Sequence, residues 1–182
     1  MVLGKVKLKK IKKVKKPSKA SSGRHSATIT ANSNTGKVNV AYGNSGNSKK
    51  IVFNDQYVEE FKQAFLNLVN DWRKSNGTSA FSLNSELNQY AAKIANDQKN
   101  GLDNHAGFIN DPNNPSHAEN IGYVSIDTPA KYAKRIFYEM VYNDAASNWG
   151  HRDNLANPSY SNLGLGLSKY GDGYLAVAME LN

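Results

Sequence analysis

The chain has 182 residues, 39% of them hydrophobic, no cysteine and a formal net charge of +8. That length suffices for one domain with its own core plus a tail; the lack of cysteine excludes a disulfide-stapled fold, and no apolar run approaches the roughly 20 residues of a membrane-spanning helix. The charge is uneven: residues 1–50 hold thirteen Lys or Arg and no Asp or Glu, and residues 51–182 hold ten basic and fifteen acidic residues, so the two parts run +13 and −5, the pattern of a basic tail on a mildly acidic domain.

Residues 1–25 open with lysines from Lys5 to Lys16, then Pro17 and a Ser-rich stretch. Self-repulsion and few apolar residues predict a disordered tail. No apolar stretch of 7–15 residues follows the basic start, so an intact signal peptide is not expected. The Lys5–Lys16 segment reads either as an adhesive patch for an anionic polymer or as a solvated linker. No aromatic residue interleaves with the lysines, which argues against a specific nucleic-acid site. Residues 26–53 alternate: Ala27, Ile29 and Ala31, then Val38, Val40 and Tyr42, around Asn32–Gly36, which predicts a β-hairpin. Gly43–Ser48 reads as a connector.

The main domain is expected over residues 54–182. Tyr57, Val58, Phe61, Ala64, Phe65, Leu68, Val69 and Trp72 repeat at helical spacing, which predicts a core helix capped by Asn54 or Asp55 and stopped by Gly77. Leu87, Tyr90, Ala91, Ile94 and Ala95 predict a second helix from Asn84 to about Gly101. Residues 101–126 read as a long loop. Thr128 and Pro129 open a third helix running to about Ala146, with Ala133, Ile136, Phe137, Met140 and Asp144 inward. A loop around Gly150-His151-Arg152 follows, then two strands, Leu163–Leu167 and Tyr174–Met179, joined by a turn over Lys169–Gly173. Helices followed by a hairpin suggest an antiparallel sheet with helices packed on it.

The string Trp149-Gly150-His151-Arg152-Asp153-Asn154-Leu155-Ala156-Asn157-Pro158 resembles the signature of bacterial members of the CAP superfamily, the cysteine-rich secretory, antigen 5 and pathogenesis-related proteins. Asn70-Asp71-Trp72-Arg73, the second-helix Leu83, Leu87 and Ala91, and His117-Ala118-Glu119-Asn120-Ile121 fit that pattern in order, with Ala118 standing where the family has Gly. Asp144-Ala145-Ala146-Ser147-Asn148-Trp149-Gly150-His151 is similar to a string in bacterial surface exclusion proteins. The resemblance implies an α+β fold, the three-layer α-β-α sandwich of CAP domains. It also implies a cleft built from two His and two Glu, here His105, Glu119, Glu139 and His151.

These residue types suit one another. Neutral imidazoles bind metals readily, and two histidines from separate segments leave coordination positions open, so His105 and His151 are the candidate ligands of a divalent metal such as zinc. A carboxylate beside each ring would fix its tautomer. Structural roles stand beside these. His105 could be a surface loop residue, Glu119 could hold its loop, Glu139 could pair with Arg135 or Arg152, and His151 could buttress its loop. His117, two residues from Glu119, rivals the other histidines as a ligand. Three functions follow: an extracellular or wall-associated module binding a lipid, peptide or cell-wall polymer in its cleft; a metal- or Glu/His-assisted hydrolase; or an adhesin that uses the tail. No Gly-x-Ser-x-Gly elbow, cysteine nucleophile or His-Glu-x-x-His helix supports the familiar hydrolase routes.

Overall fold

The computed structural model describes residues 27–32, 37–42, 51–98 and 105–182. The expected basic tail over 1–25 and the Gly43–Ser48 connector lie outside them. The hairpin segment forms β1 (Ala27–Asn32) and β2 (Lys37–Tyr42), antiparallel with Ala27 opposite Tyr42. A third short strand, β3 (Ile51–Val52), extends this sheet along β2.

Helix α1 (Asp55–Ser75) begins where Asn54 accepts the backbone N–H of Tyr57 at 2.9 Å, so an otherwise orphaned donor is satisfied. Gly77, at φ +73°, carries the chain out of the helix in a conformation that glycine tolerates. The buried stripe is Tyr57, Phe61, Phe65, Val69 and Arg73. It therefore ends on an arginine, and the expected Trp72 is only partly buried. Helix α2 (Ser85–Gln98) is capped by Asn84 through the N–H of Leu87. It buries the expected Leu87, Tyr90, Ala91, Ile94 and Ala95.

The expected long loop contains structure. Helix α3 (Ala106–Ile109) is followed by strand β5 (Ala118–Ser125), with β4 (Ser82–Leu83) lying earlier in the chain. Helix α4 (Pro129–Tyr142) starts at Pro129 as expected but stops at Tyr142, short of Ala146. A single 3-10 turn spans Ala145–Ser147, and the expected Gly-His-Arg loop is helix α5 (Gly150–Ala156). Strands β6 (Asn162–Tyr170) and β7 (Tyr174–Leu181) form the expected hairpin.

The main sheet runs in the order β4-β6-β7-β5. It is antiparallel except at the short β4–β6 pair, where Ser82 and Leu83 run parallel to Asn162 and Leu163. Strand alternation assigns its two faces. Leu163, Leu165, Leu167, Leu175, Val177, Met179 and Leu181 pack with α1, α4 and Leu155 of α5 in one core. Ile121 and Ala178 meet Tyr90, Ala91, Ile94 and Ala95 of α2 in another. This is a sheet between two helical layers, the three-layer sandwich expected. No helix among the described residues is long and apolar enough to cross a membrane.

Candidate functional site

Strand β5 positions the site. Glu119 points to the α2 face, where its carboxylate, 1% exposed, meets His105 Nδ1 at 2.6 Å. His105 caps α3 in the left-handed conformation, φ 57°, and its ring is 40% exposed. A non-glycine residue in that conformation is held there by its surroundings, here by the buried carboxylate. The hydrogen bond that His105 donates to Glu119 raises the imidazole pKa, against the opposing effect of burial. Because the folded value lies above the ordinary 6.5, the pair's contribution to stability is full below pH 6.5 and is lost as pH rises through the folded value. Glu119→Gln is expected to lower the His105 pKa, read by histidine-ring NMR titration; an unmoved titration would show that Glu119 does not set it.

Asn120, the next residue, points the other way. Its side chain donates to His151 O at 2.9 Å and accepts from Asn154 at 2.8 Å, so β5 docks α5 on the opposite face. There His151 Nδ1 lies 2.7 Å from Asp144, whose side chain is 3% exposed. Burial pushes the Asp144 pKa up, but hydrogen bonds from Ser147, His151 and the Arg152 N–H outweigh it and hold the carboxyl below its ordinary value. Its stabilisation is therefore present above the ordinary value and lost as pH falls through the lowered one. Asn148 and Trp149, at φ 52° and 65°, make the sharp turn into α5. Trp149 stacks under the Arg152 guanidinium at 4.5 Å. With Trp72, Tyr142 and Asn76 these two residues line an open groove of about 630 Å³.

The four sequence-derived candidates thus fall into separate places. His105 sits with Glu119, and His151 sits with Asp144 and Ser147. Glu139 stands apart, accepting from Asn143 at 2.5 Å, while Arg135 reaches Ser125 and Arg152 reaches Asp153. His117 lies against Tyr160. Among the described residues, no three His, Asp or Glu are grouped to hold a metal ion. Each ring has Nδ1 on its own carboxylate, His105 on Glu119 and His151 on Asp144, which leaves Nε2 as the atom that could reach an ion.

Sequence reasoning missed Asp144 as the partner of His151, although its place on the inward side of the third helical pattern was a signal. It also missed Glu180 of β7, wholly buried and opposite Glu119 across the β5–β7 pair, because an acid inside an apolar strand reads as a strand end.

The sequence model of the cysteine-rich secretory protein family, CAP, matches residues 66–179. Structures with a similar fold include NaASP2 solved with Zn2+, at 18% identity and TM-score 0.52 over 71% of this chain and 83% of that one. The CAP domain of enterococcal PrgA is also 18% identical, with TM-score 0.51 over 72% of this chain and 63% of that one. MpPR-1i soaked with selenourea gives 18% identity and TM-score 0.50 over 71% and 94%. No curated protein sequence matches the chain.

Proposed function

The chain belongs to the cysteine-rich secretory protein, or CAP, family, and on that premise we propose that it is a secreted or cell-surface binding module that holds a ligand through His105 and His151. The observation that carries this reading is the pair of histidines whose Nδ1 atoms are each fixed on a buried carboxylate. A ring anchored at Nδ1 presents Nε2 in a fixed direction. When protonated, which its bond to Glu119 favours, the His105 ring offers there an N–H to a polar or anionic group. The groove lined by Trp72, Tyr142 and Trp149 would take the less polar part of the same ligand.

A soluble, phosphate-bearing wall glycopolymer such as teichoic acid is the probe. Titration into the full chain is expected to shift the ring signals of both histidines to saturation, and His105→Ala or His151→Ala should weaken binding at least tenfold. Ring signals that stay still while the polymer binds would assign binding to the Lys5–Lys16 tail instead. Deleting residues 1–24 distinguishes the two, since tail binding is also weakened by salt.

Zinc is tested separately by calorimetry. A closed structural site is worth about 10–16 kcal/mol, whereas a separated His–carboxylate pair is expected to bind far more weakly. Zinc affinity near that range, lost in His151→Ala, would overturn the separation of the pairs.

A hydrolase reading has one favourable observation, since Asp144 orients His151 as an acid orients a general base. Ser147, however, meets the same Nδ1 atom that Asp144 holds, so it is not placed as a nucleophile on Nε2. A water would have to serve, and a wall-peptide or ester turnover assay with His151→Ala as control tests that.

A further inference from the structure

Glu119 and Glu180 are register partners on neighbouring strands, and both side chains enter the α2 layer. One oxygen of Glu119 is taken by His105, and one oxygen of Glu180 accepts from Ser116 Oγ at 2.6 Å. The remaining two, Glu119 Oε2 and Glu180 Oε1, are buried and have no donor among the described residues. Two carboxylate charges facing each other out of water would repel, and each orphaned oxygen would carry an uncompensated desolvation cost.

We propose that Glu180 is an uncharged carboxylic acid whose proton on Oε1 bridges to Glu119 Oε2, making it the positioning residue that keeps Glu119 as the anionic partner of His105. One proton satisfies both orphaned oxygens. The alternative, a proton on Oε2 donated to Ser116, leaves the two oxygens facing each other unpaired. In the proposed arrangement Ser116 donates to Glu180, and Asn114 Oδ1 keeps its bond from the Ser116 N–H at 2.9 Å. The result is a chain from the exposed imidazole inward: His105, Glu119, Glu180, Ser116. It goes beyond the ligand-binding reading and concerns the protein alone.

The surroundings agree. On β6 the residue opposite Glu180 is Gly164, which brings no charge. From α2 comes Tyr90, and beyond it lies Asp111, itself held by Lys93. No cation faces Glu180 directly in these contacts. Burial, then the negative charge of Glu119, pushes the Glu180 carboxyl up to about 9, against the Ser116 hydrogen bond.

The sign follows. A carboxyl with an ordinary value of 4.5 that titrates near 9 in the fold leaves the folded state with one more proton than the unfolded state between those values. Stability then falls as pH rises across that window and levels off above it. His105 adds a slope of its own near neutrality, so the informative quantity is the difference between the natural chain and Glu180→Gln. Gln is the neutral isostere and keeps a donor towards Glu119.

Urea unfolding of both chains from pH 5 to 9 is the experiment. Relative to Glu180→Gln, the natural chain should lose about tenfold in its folding constant per pH unit, the slope of one proton, from parity or better near pH 5. Parallel profiles would overturn the proposal. Should Glu180→Gln fail to fold, the infrared spectrum of the natural chain at pH 7 decides by itself. A protonated carboxylic-acid carbonyl band supports the bridge, and carboxylate bands alone overturn it. Neither result depends on any ligand, so failure here and failure of the binding reading are separate outcomes.

Discussion

Arg73→Met is expected to cost the fold roughly 4–5 kcal/mol, the exceptional range reserved for a broken buried network. Arg73 is completely buried. In place of a carboxylate it meets four backbone carbonyls: Ser79 at 2.6 Å, Leu155 at 2.7 Å, Tyr160 at 2.9 Å and Asn157 at 3.1 Å. Its guanidinium also lies 3.7 Å from the centre of the Phe81 ring. Hydrogen bonds from a charged donor are each worth about 1.5–3 kcal/mol, and methionine removes all four at once, leaving the buried Leu155 carbonyl without a donor. Three of the carbonyls belong to residues 155–160, the end of α5 and the segment after it, so the loss falls on the helix that carries His151. Arg73→Lys should recover only part of the stability, since an ammonium cannot reproduce the planar fork. Denaturant midpoints decide: a loss below about 1 kcal/mol would mean the carbonyls find other donors. The slope of the transition should stay unchanged if the native fold is kept.

Gly166→Ala should be nearly as severe, and for a different reason. A Cβ at Gly166 would lie 2.2 Å from the backbone of Ala91, and one at Gly164 would lie 2.3 Å from the backbone of Leu87. Backbone cannot rotate aside as a side chain can, so α2 would have to lift off β6. Overpacking of a closed core costs about 1–3 kcal/mol and occasionally more; here the upper end is expected at either position, and the double substitution should prevent folding. Gly150→Ala is the control. Nothing lies within 4 Å of its Cβ, and alanine favours the helix by about 1 kcal/mol over glycine, so α5 should be unharmed. Equal thermal midpoints for Gly166→Ala and the natural chain would show that the α2 layer is not packed backbone to backbone.

Much of the scaffold was legible without coordinates. The apolar spacing of Tyr57, Phe61, Phe65 and Val69 could satisfy one period only, and Asn54, Asn84 and Pro129 marked helix starts that the structure keeps. The Leu-Gly alternation of 163–167 and the apolar run of 174–179 gave a hairpin with its turn in place. Local chemistry decides these, because a helix stripe, a cap or a tight turn involves residues close in sequence. Strand β5 was not legible in the same way: Asn, Gly and Pro around it read as loop, and Ala118–Ser125 becomes a strand only because β7 lies beside it to pair every residue.

The motif around His151 and the ordered match of the other positions named the family and the residue types of the site. Which carboxylate serves which imidazole depended on contacts between distant segments. Glu119 reaches His105 because the left-handed cap of α3 turns the ring back toward β5. His151 takes Asp144 rather than Glu139 because α4 ends at Tyr142 and the chain folds back through a 3-10 turn. Arg73 and Glu180 carry the same lesson, since a charged residue on a core face is conspicuous in sequence but its compensation is not. The sequence by itself determined α1, α2, α4 and the β6–β7 hairpin, the family and the candidate residue types, all set by short-range pattern. Only the tertiary structure decided the pairing of charges, because burial and partner are properties of the packed layers and not of any one segment.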